Sequence, residues 1–337
     1  MEKDLNAKLE EAGKKKIAPT KIDARLVGNI APYAGLVLVI VVFAILTKGA
    51  LLSVSNLQGM SSTVILTAMC AIGAVFVFGA GYFDMSIGGA VCLAAVLGAQ
   101  AMIATGSFFV GFLVVLAVSV VLALIKSVLA AYVNVPFFIF TIILASIFSA
   151  LVLVLMGNET TIYLRNAVKP LREFSFTEMS VISVVVLAAF FIFCVVVFKF
   201  TPLGLKAKNM GGNIISAKQS GIDTVKTTVK VFIMSALGVA LAAFLLLLRT
   251  RTASASTAGT VGTDVMVALV LGGMPLSGGP RTKISAGLVG AVTITVLNSG
   301  LAILGLTTGQ IQVARGLVFI VVVLVSSLSY RSKLLPR

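Results

Sequence analysis

The stretch Gly79–Gly89, GAGYFDMSIGG, places one acidic residue, Asp84, in the middle of an otherwise almost uncharged run from Gly49 to Lys126. A carboxylate at membrane depth costs roughly 2.5 to 3.5 kcal/mol on insertion scales, so its presence there needs a reason. Gly79, Gly81, Gly88 and Gly89 loosen helical backbone around it, and Ser86 adds a small donor and acceptor. Two readings follow. Broken backbone is tolerated at membrane depth where it is buried in protein or lines a cavity. A tight turn between two spans on the cytoplasmic side would instead leave Asp84 in water as the N-cap of the next helix.

The surroundings of that stretch are apolar throughout. The chain has 337 residues, of which 59% are hydrophobic and 11% charged, and its mean hydropathy is +1.14. Ordinary globular chains carry about a quarter charged residues. The apolar runs are long enough for helices, so the expected fold is all-α, a polytopic membrane protein of about ten transmembrane helices with Gly-broken central segments. The formal charge of +15 does not point to nucleic acid. Its basic residues gather in the N-terminal tail, in Lys199–Lys230, at Arg281 and Lys283, and in the tail from Arg331, between or beyond the apolar runs. That is the positive-inside distribution, with anionic lipid headgroups as the natural partners.

The three cysteines lie inside apolar runs and suggest no disulfide framework. With no histidine in the chain, histidine-based catalysis and histidine metal sites are excluded. The first 29 residues are polar and Lys-rich instead of opening on a short apolar core. No cleaved leader is expected, and mature and encoded N-termini are expected to coincide.

The expected organisation is a cytoplasmic tail over 1–29, a transmembrane domain over 30–329 and a basic cytoplasmic tail over 330–337. Spans are expected at about 30–46, 61–79, 86–105, 108–125 (ending at Lys126), 136–156, 180–198, 231–248, 264–279, 284–304 and 311–328. Ten crossings put both termini and the basic clusters on one side. The loop 157–178 balances three basic and three acidic residues and is expected on the other face. Residues 249–262, RTRTASASTAGTVG, read as a loop or re-entrant turn. Ser86–Gly89 is echoed by Leu276–Gly279, and Asp84 and Asp264 are the acidic residues inside or at the edges of apolar runs. Paired Gly-broken segments in two halves point to a translocation site, although small residues also serve helix packing.

The polar segment 199–230 interrupts the membrane domain. Pro202 and Gly204 stop the preceding span, Gly211–Gly212 suit a tight turn, and Asn213 is a good N-cap for a short helix over 214–219. Ser220–Gly221 then suits its end. Such a helix is fit to dock a soluble partner, and a plain connecting loop is the alternative.

Together these motifs resemble the permease subunits of bacterial ABC sugar importers of the ribose, xylose, galactose and autoinducer-2 type. FDMSIG (83–88) is similar to that family's G-I-D-L-S-V-G, and GGNIISAKQSGI (211–222) to its coupling loop G-G-N-x-x-A-x-x-x-S-G-I. STAGT (256–260), Asp264, LGG (271–273), LSGG (276–279) and LNSGLAILGL (297–306) follow in the family's order. The resemblance runs from about residue 30 to residue 328. Departures are Tyr82 and Phe83 before the aspartate, Ile214 where the family has glutamate, and Pro275 and Pro280–Thr282 in a usually Gly-rich turn.

The resemblance implies a bacterial cytoplasmic-membrane permease for a small polar solute, such as a monosaccharide, with no cofactor of its own. It implies a separate ATP-binding subunit that hydrolyses ATP, an extracytoplasmic solute-binding protein near 157–178 and 249–262, and a second permease copy or homologue. The chain has no phosphate-binding G-x-x-x-x-G-K-[ST] loop. Expected path or gate residues are Asp84, Ser86, Gly88, Asp264, Gly272, Gly273, Ser277 and Asn298. Gly211, Gly212, Asn213, Ala217, Ser220 and Gly221 are expected in the coupling loop. The rivals are an ion-coupled carrier using Asp84 and Asp264, and an intramembrane enzyme built on an aspartyl pair.

Overall fold

A computed structural model describes residues 24–133, 136–164, 175–255, 258–275 and 277–331. Most of the N-terminal tail, part of the loop 157–178, Ser256, Leu276 and the residues after Arg331 lie outside these, and with them part of the sequence-based expectations. The helices are α1 (Ala24–Leu46), α2 (Val54–Gly79), α3 (Ile87–Thr105), α4 (Phe108–Tyr132), α5 (Phe137–Met156) and α6 (Phe176–Phe200). Next come α7 (Pro202–Gly212), α8 (Ile214–Gln219), α9 (Thr224–Thr250), α10 (Val261–Leu271), α11 (Ser285–Ile303) and α12 (Thr308–Arg331). Seven of them are long and apolar enough to cross a membrane, and α1, α10 and α12 contribute shorter apolar stretches.

The starts are written in cap chemistry. Ser53 accepts from the Asn56 amide at the head of α2, and Ser175 with Glu178 forms a capping box at the head of α6. Asn213 Oδ1 accepts from the amides of Ile215 and Ser216 at 2.9 and 3.0 Å, opening α8. Asp223 does the same for α9 through the Lys226 amide.

Burial sorts the spans into two sets. The apolar windows of α2 and α9 are 78% and 72% buried inside the protein, against 17% for α5 and 22% for α6. α2 and α9 cross at glycine: a Cβ on Gly238 would stand 2.5 Å from the Met69 carbonyl. Small residues permit such backbone approach, which matters in lipid because dispersion rather than the hydrophobic effect holds helices together. α3 and α11 complete the inner layer, while α4, α5 and α6 turn broad Val, Ile, Leu and Phe faces outward.

Several boundaries differ from expectation. α4 does not end at Lys126 but continues to Tyr132, so the lysine sits within a helix. α9 begins at Thr224 rather than 231, because Asp223 caps it there. Gly211–Gly212 form the last residues of α7 rather than a turn of their own. The expected span 264–279 is instead the 11-residue α10, which stops at Leu271. At 1.5 Å per residue that is about 16 Å, roughly half a hydrocarbon core. A two-stranded ribbon also joins the loops on either side of α6–α9. β1 (Thr161–Tyr163) pairs antiparallel with β2 (Thr252–Ser254), Ile162 opposite Ala253.

Candidate translocation site and coupling contact

α2 ends at Gly79, and Gly81 takes a φ of +89°, which a side chain would resist. The chain then runs without helix to Ile87, the first residue of α3. Aromatic contacts pin this run: Phe83 lies 4.9 Å from Phe78 and Tyr82 lies 5.6 Å from Phe137, centroid to centroid. The Tyr82 hydroxyl shares a hydrogen bond of 3.2 Å with Thr228 Oγ1 on α9.

Asp84 is 1% exposed, which overturns the reading of a solvated turn. Both its oxygens are engaged. Oδ1 accepts from the Ser86 amide at 2.9 Å and the Ser86 hydroxyl at 2.6 Å. Oδ2 accepts from Lys126 Nζ at 2.7 Å, and Lys126 is itself only 3% exposed. Ser86 thus acts on Asp84 directly, as a donor to a charge that α4 neutralises.

The second break shows the same solution. Asp264, in the first turn of α10, pairs with Arg315 of α12, and the two are 6% and 8% exposed. Thr260 Oγ1 donates to Asp264 Oδ2 at 3.1 Å, and Arg315 also donates to Thr263 Oγ1 at 3.2 Å. Lys126 and Arg315 were the residues missed by sequence reasoning. The signal was present, since each is an isolated cation inside a long apolar run, one for each isolated carboxylate.

The two breaks meet backbone to backbone. A Cβ on Gly88 would lie 2.7 Å from the Ala258 carbonyl, and one on Gly262 would lie 2.5 Å from the Met85 carbonyl. At the other contact, the Gly279 amide donates to the Gly79 carbonyl at 3.0 Å, with Gly278 and Gly279 at φ +66° and +86°. The end of α7 is lodged at this second meeting. A Cβ on Gly211 would stand 2.6 Å from the Gly279 amide nitrogen and would collide with the Gly79 carbonyl. Gly212 lies beside the Pro280 ring, and Thr282, which donates to the Gly279 carbonyl at 2.7 Å, packs over Gly79. Three Gly-bearing segments that are far apart in sequence therefore share one junction.

Other expected residues separate. A Cβ on Gly272 would strike the Ala286 carbonyl and one on Gly273 the Pro32 ring, so both permit close packing with α11 and α1. Ser277 is exposed. Asn298 lies on α11, where its Oδ1 is buried with no hydrogen-bond partner among the described residues; the neighbouring Ser299 donates to Asn56 Oδ1 of α2 at 2.8 Å. In the loop, Ala217 is buried, Ser220 donates to the Ser216 carbonyl, and Gly221 ends α8 at φ +78°. Ile214, Ile215 and Leu205 are exposed on this polar segment.

Residues 56–326 match the family described as "Branched-chain amino acid transport system / permease component". The chain belongs to this permease family. The ribose import permease protein RbsC of Bacillus subtilis is 29% identical over 88% of this chain and 92% of its own. The galactose/methyl galactoside import permease protein MglC of Escherichia coli is 27% identical over 91% and 95%. The xylose transport system permease protein XylH of Haemophilus influenzae is 27% identical over 86% and 94%. No solved structure matches. This permease is a multi-pass membrane protein and a transport subunit rather than an ATPase. Membership implies an ATP-hydrolysing subunit and a solute-binding protein as partners.

Proposed function

We propose that this permease forms, with a second copy or a homologue, the path of a binding-protein-dependent importer for an uncharged, polyhydroxylated solute such as a monosaccharide. Its place is the bacterial cytoplasmic membrane, with both termini on the cytoplasmic side, where the basic segments lie. Relatives named for ribose, galactose and xylose span nearly their whole lengths in the match. The charge pattern supports a neutral cargo. The buried charged residues among the described ones, Asp84, Lys126, Asp264 and Arg315, form two closed pairs. Neither the carboxylate nor the ammonium of a free amino acid would find an unpaired counter-charge among them. Neutral cargo favours sugar over the amino acids in the family's description.

The observation that carries the proposal is the glycine junction. ATP-driven movement of a subunit docked on the exposed Ile214, Ile215 and Leu205 would press on α7, whose Gly211 abuts both breaks at Gly79 and Gly279. Asp84 with Ser86, and Asp264 with Thr260, hold the two broken segments in register while Gly88 and Gly262 allow them to touch. Binding protein would approach the opposite face, where β1 and β2 tie the two loops together. In this arrangement the chain binds no cofactor, and ATP is spent by the partner. The same ion pairs argue against Na⁺ coupling, since each buried carboxylate is already balanced by a cation of the chain itself.

Reconstitution with the ATPase tests this. Loaded ribose-, xylose- or galactose-binding protein should stimulate ATP hydrolysis, and a leucine-loaded one should not. Ile215→Glu should abolish co-purification with the ATPase while leaving membrane insertion intact. Stimulation by the amino acid system alone would overturn the choice of cargo.

A further inference from the structure

Outside the site, a cavity of about 440 Å³ lies between α4, α6 and α9. Phe112 and Leu116, Phe190 and Phe193, and Leu237 and Leu241 form its walls, all of them hydrocarbon. Water has no partner in such a space, and a sugar would find no hydrogen bond. The walls lie on spans that the sequence places at membrane depth, so the natural occupant is hydrocarbon.

Charge decides which hydrocarbon. On α9 the helical face that carries the lining residues Leu241 and Leu237 continues past the buried Met234 to Lys230, two turns beyond Leu237 toward the basic end. Along α6 the row from Phe193 runs through Val197 to Phe200, and Lys199 folds over the Phe200 ring with Nζ 5.6 Å from its centroid. Beside it, Lys208 lies 5.0 Å from the Phe198 ring. On the basic side of the cavity, α6 and α9 thus each carry an exposed lysine, Lys199 and Lys230. From Lys230 to Leu241 the helix covers about 16 Å, close to the hydrocarbon depth of one leaflet.

We infer that this groove is a binding site for an anionic phospholipid of the basic-side leaflet. One acyl chain lies between α4, α6 and α9, and the phosphate headgroup rests on Lys199 and Lys230. Each lysine at the surface favours an anionic headgroup about fivefold, so two favour it by roughly thirtyfold over a zwitterionic lipid of the same chains.

The chain contains no tryptophan, which makes a single introduced one an unambiguous reporter. Phe193→Trp places it in the groove, and Ile143→Trp places it on the exposed face of α5 as a bulk-lipid control. In vesicles mixing phosphatidylcholine with phosphatidylglycerol, bromine on the phosphatidylglycerol chains should quench the groove reporter at a many-fold lower lipid fraction than the control. Lys199→Gln with Lys230→Gln should remove that preference. Native mass spectrometry of the unsubstituted protein should likewise show phosphatidylglycerol retained and phosphatidylcholine lost. Equal quenching by both lipids would overturn the headgroup assignment. No quenching in the groove would show that protein, such as a second copy, fills it, and would overturn the site itself.

Discussion

Replacing Lys126 with Met keeps most of the side chain's length and packing while removing its charge. Asp84 Oδ1 would still accept from Ser86, but Oδ2 would lose the ammonium at 2.7 Å and stay buried. Breaking a buried pair by deleting one partner typically costs about 3 to 5 kcal/mol, because an uncompensated charge remains. At roughly 2 °C per kcal/mol for a chain of this size, Lys126→Met should lower the unfolding temperature of the purified permease by about 6 to 10 °C. Adding Asp84→Asn removes the orphaned charge, and the double variant should recover most of that loss, since replacing both partners of a buried pair is often nearly neutral. Thermal unfolding of the parent, both single variants and the double variant, in one lipid mixture, closes the cycle. If Lys126→Met unfolds within a degree or two of the parent, or if the double variant falls by the sum of the singles, the pair does not hold the break.

Gly211→Val should leave ATPase docking on α8 intact but abolish solute uptake, because the new side chain collides with the Gly79 carbonyl; transport and co-purification are read side by side. Arg315→Lys shortens the side chain whose Nη2 reaches both Asp264 and Thr263, and should destabilise by about 1 kcal/mol or more, read as a small fall in unfolding temperature. Asp223 accepts from the Lys226 amide, and that bond, with the Lys226 side chain beside it, holds its carboxyl below the ordinary value. A depressed folded pKa means the cap's contribution is complete above the ordinary carboxylate range and is lost as pH falls through the depressed value. ATPase association should therefore stay flat from neutral pH down to that range in the parent. In Asp223→Ala it should be weakened across that same window, with the difference from the parent closing below the depressed value.

The polar loop was legible nearly to the residue because its signals are local. Asn213 names the start of α8, and Gly221 names its end, whatever else the fold does. Asp84 and Asp264 were legible as exceptions to an apolar background. Their partners were harder, because periodicity says which residues share a helix but not which helices touch, and Lys126 looked like the close of a span. Glycines were the most ambiguous letters. Gly81, Gly278 and Gly279 are there for backbone angle. Gly88, Gly211, Gly272 and Gly262 are there because another backbone arrives where a Cβ would be, and only the fold reveals which.

The pairing of buried charges also has an electrical consequence. A lone carboxylate carried across the membrane field would exchange about 2.3 kcal/mol with each 100 mV of potential. Asp84 and Lys126 sum to zero, as do Asp264 and Arg315. A cycle that moves each pair as a unit transfers no gating charge, so its rate is set by nucleotide and cargo and is indifferent to the membrane voltage of the cell.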